Sequence, residues 1–139
     1  MAFQLEGIQR LPDCTKGITA NEALTVGELI LDSGGYATVT GIATATNVTI
    51  LGIVKVAATG SAVNGAVKVT YTPLPPSQWL KATAATTPTD ALMGILCKIT
   101  AGGLTIDLTG SPLAGIVGFK PCKVVDATNK IVLGYLSST

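Results

Sequence analysis

The side chains of this 139-residue chain that could act as nucleophiles, acids or metal ligands are three cysteines and eight carboxylates, and histidine is absent. Without imidazole, a Ser-His-Asp triad, a histidine-ligated zinc and a base titrating near neutrality are excluded. Cys14, Cys97 and Cys122 are an odd, widely spaced set with no Cys-x-x-Cys pair. They are expected to behave as small buried hydrophobes, with a redox role kept open for Cys14, which sits between Asp13 and Thr15. Asp32, Asp90, Asp107 and Asp126 would form a calcium site only if the fold gathered them, because their spacing matches no calcium loop. No Gly-x-Ser-x-Gly, P-loop or dinucleotide fingerprint is present, and Gly34-Gly35 and Gly102-Gly103 suit hairpin turns better than phosphate cradles. The expectation is therefore a protein that is not an enzyme and holds no cofactor and no metal.

Ala, Thr and Gly make up 53 of the 139 residues, charged residues 12% and aromatics 4%. Nine Lys/Arg and eight Asp/Glu are scattered singly, for a net charge of +1. No basic stripe exists to engage a phosphate backbone or an anionic bilayer, so neither nucleic acid nor membrane is an expected partner. The apolar runs at 50–54 and 91–97 are short and flanked or interrupted by glycine, far from the ~20 residues a membrane-spanning helix needs. The start Met-Ala-Phe-Gln-Leu-Glu has an acid and no basic segment before a long apolar run, which predicts folding in a cytoplasm. The length suits one unit or two small related halves.

Short β-type segments separated by turn residues begin at Ala23. Strands are expected at 24–32, 36–42, 48–56, 66–71, 80–82, 92–99, 104–108, 114–119, 123–125 and 131–136. One helical turn fits 87–93, where Thr-Pro-Thr-Asp could start it. Pro73, Pro75 and Pro76 cannot donate to a ladder and mark a stiff connector or edge. The pattern predicts an all-β fold, a small sandwich or barrel of short antiparallel strands with little helix. Residues 1–22 are expected to form an N-terminal arm or lead-in, and 23–139 a β-domain with candidate halves 23–72 and 78–136. Part of the sequence repeats: Ala45-Thr46-Asn47-Val48-Thr49-Ile50-Leu51-Gly52 matches Ala127-Thr128-Asn129-Lys130-Ile131-Val132-Leu133-Gly134 at five of eight positions, and Asp90-Ala91-Leu92-Met93-Gly94-Ile95 is a weaker echo. Duplication and convergence of similar short strands both account for these matches.

Leu24-Thr25-Val26-Gly27-Glu28-Leu29-Ile30-Leu31-Asp32, followed by Gly34-Gly35-Tyr36-Ala37-Thr38-Val39, Ile50-Leu51-Gly52-Ile53-Val54, Ala58-Thr59-Gly60 and Val67-Lys68-Val69, resembles the small head decoration (capsid cement) proteins of tailed phages. The resemblance covers residues 23–71, with a looser second copy at 78–136. It implies a virion structural protein, made in the host cytoplasm, that binds the major capsid protein on the outside of an icosahedral head. It also implies a trimer at three-fold or quasi-three-fold positions that braces the shell against DNA pressure. Other virion parts, a tail-tube or head-fibre subunit, and a small β-barrel carbohydrate- or protein-binding module remain alternatives.

The candidate interface residues are Phe3, Leu5, Ile8, Arg10, Leu74 and Trp79. Phe3, Leu5 and Ile8 could fill shell pockets while Arg10, Glu6 and Asp13 form a polar rim, or they could complete the chain's own core. Leu74 lies among prolines that would stiffen a contact loop. Trp79, the single tryptophan, is either an interface anchor or a boundary or core residue, and Tyr36, Tyr71 and Tyr135 share that ambiguity.

Overall fold

Threonine, valine and isoleucine dominate the segments between glycines, and β-branched side chains fit the pleated, half-buried surface of a strand. The computed structural model describes residues 3–5, 12–46, 49–74 and 78–138. Among these it has thirteen strands and short 3₁₀ turns at Ile42–Thr44 and Asp90–Leu92. The fold is all-β, and every pairing between its strands is antiparallel.

Five strands build a first unit: β2 (Cys14–Gly17), β4 (Leu29–Ser33), β5 (Tyr36–Thr38), β6 (Ile50–Val56) and β8 (Lys68–Pro73), in the order β2-β8-β6-β4-β5. The sheet's two ends meet. Ile18, just past β2, bridges Ala37 of β5 in parallel, and the Thr19 N–H donates to the Ala37 carbonyl at 3.1 Å. Closure of this kind turns an open sheet into a small barrel and removes part of its free edge. Ile18, Ile30, Ala37, Val54, Val69 and Tyr71 fill the interior. The short pair β3 (Ala23–Leu24) and β7 (Ala58–Thr59) brings Leu24 into the same cluster.

A second unit repeats this plan. Strands β9 (Leu80–Thr83), β13 (Ile131–Ser138) and β12 (Val117–Asp126) pair in that order. Cys97, just before β10 (Lys98–Ile99), bridges Phe119 of β12. β10 pairs with β11 (Ile106–Asp107), and Ala84, just past β9, bridges Ile106 in parallel. The order and the closing bridge match the first unit, and so does the register. Pairing skips Lys55 opposite Tyr71 and Thr70, and likewise skips Cys122 opposite Gly134 and Leu133, so one bulge occurs at one place in both. The Gly27 N–H donates to the Val54 carbonyl at 3.0 Å, and the Gly94 N–H to the Pro121 carbonyl at 2.6 Å. Both glycines have positive φ, 89° and 82°, where a side chain would be strained.

The units share one body. Leu29, Leu31 and Ile53 lie on the outer side of the first barrel and belong to the core that holds Ile99, Ile106, Phe119 and Val132. Ile30, between Leu29 and Leu31, faces the first barrel's interior, so β4 is buried on both sides. Two backbone bonds add to this seam, from the Leu29 N–H to the Gly103 carbonyl at 2.9 Å and from the Val117 N–H to the Ala45 carbonyl at 2.8 Å. Finally, β1 (Phe3–Leu5) pairs with β9, Phe3 opposite Ala82.

Several expectations are corrected here. The expected lead-in 1–22 contains β2 and Ile18, which are staves of the first barrel, so the structured body does not begin at 23. The expected strand 24–32 is broken by the positive φ at Gly27. The two expected strands around Pro121 are one, because the proline sits beside the bulge, where the ladder is already disrupted. The strongest sequence echo is not the structural one: Gly52 lies in β6, while Gly134 lies in β13 at the register position of Tyr71. The structural match instead pairs Val26-Gly27-Glu28-Leu29 with Met93-Gly94-Ile95-Leu96, a correspondence that none of the sequence echoes picks out.

Candidate functional site

Among the described residues, the chemistry-capable groups are dispersed, and four of the carboxylates are engaged by nearby turns. Glu22 accepts from the Val39 N–H at 2.7 Å and from the Thr38 hydroxyl, and Glu28 accepts from the Thr25 N–H at 2.9 Å and the Thr25 hydroxyl. Both carboxylates satisfy turn donors that would otherwise be orphaned. Asp107 and Asp126 each bind their own following turns, at Thr109 and Asn129. The two hydrogen bonds from Asn129 hold the Asp126 carboxyl below the usual carboxylate range. Among the described residues, no group of three or more Cys, Asp or Glu side chains converges as a metal ligand set would.

All three cysteines are free thiols, and only Cys97 meets the expectation of a buried one. Burial pushes its thiol up to about 12, with the Asp107 charge adding to the shift. A thiol so suppressed is a poor nucleophile at neutral pH. Cys14 is half-buried and Cys122, at the β12 bulge, is exposed. Gly34 and Gly35 have positive φ in the β4–β5 hairpin, and Gly103 turns the chain between β10 and β11. The first barrel's interior also holds a polar cluster. Lys16 Nζ lies 3.4 Å from Asp32 Oδ1, and Tyr71 is opposite Cys14. Burial, Cys14 and Asp32, in that order, raise the Tyr71 phenol above its ordinary value.

The six candidate interface residues separate. Phe3 is 2% exposed and packs edge-on to Phe119, ring centroids 6.2 Å apart. It completes the chain's own core, which corrects the expectation that it projects toward a partner: β9 offers a free ladder edge, and Ala82 leaves room for the ring. Leu5 is held in the same strand opposite Leu80. Ile8 and Arg10 lie outside the described residues. Leu74 is half-buried against the larger core rather than displayed on a loop.

Trp79 is different, being 45% exposed. Its ring meets Tyr135 edge-to-face, centroids 5.6 Å apart. Cross-strand register builds a surface around this pair, since residues directly opposite share one face of a sheet. Lys120 is opposite Tyr135, giving a row Lys120-Tyr135-Trp79. The adjoining row is Lys123-Leu133-Lys81-Gln4. Composition offered a partial signal, since a single tryptophan was visible, but the three lysines are up to 42 positions apart in sequence and only the register joins them. A concavity of about 310 Å³, open to solvent, lies between Phe3, Val26, Ile53 and Lys55. It is mostly apolar and lacks the convergent polar groups of a reaction site.

No family model, no curated protein and no solved structure matches this chain. The described residues include no helix long and apolar enough to cross a membrane.

Proposed function

We propose that the protein is a virion structural component, a capsid decoration protein that binds the major capsid protein on the outer surface of an icosahedral head and stabilises it non-covalently. The observation carrying this reading is the Trp79–Tyr135 ridge, an aromatic pair left accessible on an outer sheet face. Exposed tryptophan and tyrosine are characteristic anchors of protein interfaces. The resemblance of residues 23–71 to phage cement proteins supplies the shell as partner, and the trimer at a three-fold position follows from the same source. Ile8 and Arg10 stay as contacts proposed for that partner. The protein added to undecorated, expanded phage heads should appear as regular density at symmetric positions on imaged particles. Absence of ordered binding overturns the reading, and binding along tails or fibres transfers it to another virion part.

The same aromatic pair supports a second reading, a carbohydrate-binding module, because aromatic rings pack against sugars. Saturable binding to a neutral glycan, lost in Trp79→Ala, would favour it over the shell.

A further inference from the structure

The two units share one frame but carry different chemistry on the corresponding outer face. Where the second unit has Trp79, Tyr135 and Lys120, the first has Asp13, Thr72 and Ile53. Where the second has Lys81, Leu133 and Lys123, the first has Thr15, Thr70 and Val56. In the first unit this face is also partly consumed, since Ile53 is buried in the shared core and Asp13 is paired with Lys55 at 2.7 Å. In the second unit Trp79 and Lys123 are exposed and Tyr135, Leu133, Lys81 and Lys120 are half-buried. A shared frame needs neither the aromatics nor the lysines, so the first unit serves as an internal control for what folding alone requires.

Charge separates the units in the same direction. Residues 12–74 contain three lysines and four carboxylates, and residues 78–138 five lysines and three carboxylates. Among the described residues, Lys120 and Lys123 make no ion pair, whereas both ion pairs of the first unit engage its lysines. Among the described residues, the carboxylate closest in register on the second unit's outer face is Asp126, beside Ile131 at the sheet corner and already bonded to Asn129. Three lysines thus surround an apolar centre of Trp79, Tyr135 and Leu133.

We infer that this face is a docking surface for an acidic protein surface, with Trp79, Tyr135 and Leu133 packing on an apolar spot of the partner and Lys120 and Lys123 meeting Asp and Glu side chains around it. An apolar centre with a charged rim is the usual anatomy of a specific protein interface, and charge complementarity at the rim sets partner choice and association rate. A single-stranded nucleic acid is the other polyanion this face could attract, but the edge-to-face pair offers no row of parallel rings for successive bases. The inference deepens the decoration reading and rests on it for the identity of the partner.

Trp79, as the single tryptophan, reports on the site directly. The test titrates the full chain with a synthetic peptide alternating Glu or Asp with Leu and, separately, with a thymidine oligonucleotide of similar charge. The peptide should shift Trp79 emission to shorter wavelength saturably, with affinity falling as salt rises. Lys120→Glu combined with Lys123→Glu should weaken it by about tenfold or more, Lys120→Arg with Lys123→Arg should retain it, and Lys68→Glu in the first unit should leave it unchanged. If the Glu pair fails to fold by circular dichroism, the Gln pair replaces it. Binding of the oligonucleotide but not the peptide overturns the inference, as does equal peptide binding by the Glu pair and the wild type. Decoration of heads by both proteins alike overturns this face while sparing the proposed function, and peptide binding without decoration does the reverse.

Discussion

Gly134 holds, in the second barrel, the register position that Tyr71 holds in the first, while Phe119 stands where the first barrel has Gly52. Each barrel therefore carries one aromatic ring and one glycine at this pair of positions, with the two exchanged between neighbouring strands. In the second barrel the exchange is enforced by space. A Cβ at Gly134 would lie 2.7 Å from Phe119 Cε1 and closer still to the Lys120 carbonyl.

Gly134→Ala should accordingly destabilise the protein, because the ring can tilt but the Lys120 backbone in a long paired strand cannot. The expected loss is about 1–3 kcal/mol, as for other overpacked cores, read from the denaturant midpoint. A midpoint equal to wild type would mean that β12 and β13 are not packed as described.

Sequence alone carried the strand-rich class and most turn positions, since glycines and β-branched runs act locally. It did not reveal that Ile18 closes onto Ala37 or that Ala84 closes onto Ile106, because a barrel closure joins segments with no shared local pattern. The duplication of plan was similarly obscured. Structurally equivalent residues such as Lys16 and Ala82, or Asp32 and Ile99, differ in chemistry, while Gly52 and Gly134 match in type and not in place. Trp79 was visible as a candidate, but the lysine rows around Tyr135 exist only through the register of β9, β13 and β12.

Phe3→Ala should act on stability before it acts on any partner. The ring is buried against Phe119, and large-to-small changes at such sites cost about 3–5 kcal/mol; a terminal strand that can fray places this one at the lower end. Hydrogen exchange would see the change as faster exchange at Lys81, whose partner in β1 is Gln4. An unchanged melting temperature would restore Phe3 to the list of partner contacts.

Cys97 predicts a weakness at alkaline pH. Its thiol is raised from 9.0 to about 12, so above 9.0 the unfolded chain loses a proton that the folded chain keeps. Stability from this group is fully present below 9.0 and falls as pH rises toward about 12, by up to about 1.4 kcal/mol per pH unit. The raised Tyr71 phenol adds a loss of the same sign at higher pH. Cys97→Ala should flatten the Cys97 part of the profile, measured as denaturant midpoints across that range. In the native protein a thiol reagent at mildly alkaline pH should label exposed Cys122 first and leave Cys97 until unfolding.

The Lys16–Asp32 pair lets one barrel be edited toward the other. Lys16 and Asp32 occupy the positions of Ala82 and Ile99, and both side chains are about a third exposed, 33% and 39%. Water therefore screens the pair, and Lys16→Ala alone should lose no more than about 1 kcal/mol. Lys16→Ala together with Asp32→Ile installs the second barrel's own solution, removing both charges and the Asp32 Oδ1 whose one close polar neighbour is Lys16 Nζ, 3.4 Å away and short of a hydrogen bond. Replacing a paired charge by apolar groups of matching shape is commonly neutral or stabilising, so the double variant should melt at or above the wild-type temperature. A double variant clearly less stable than either single one would mean that the first barrel needs its polar interior, through Tyr71 and Cys14, and that the equivalence of the two units ends at the backbone.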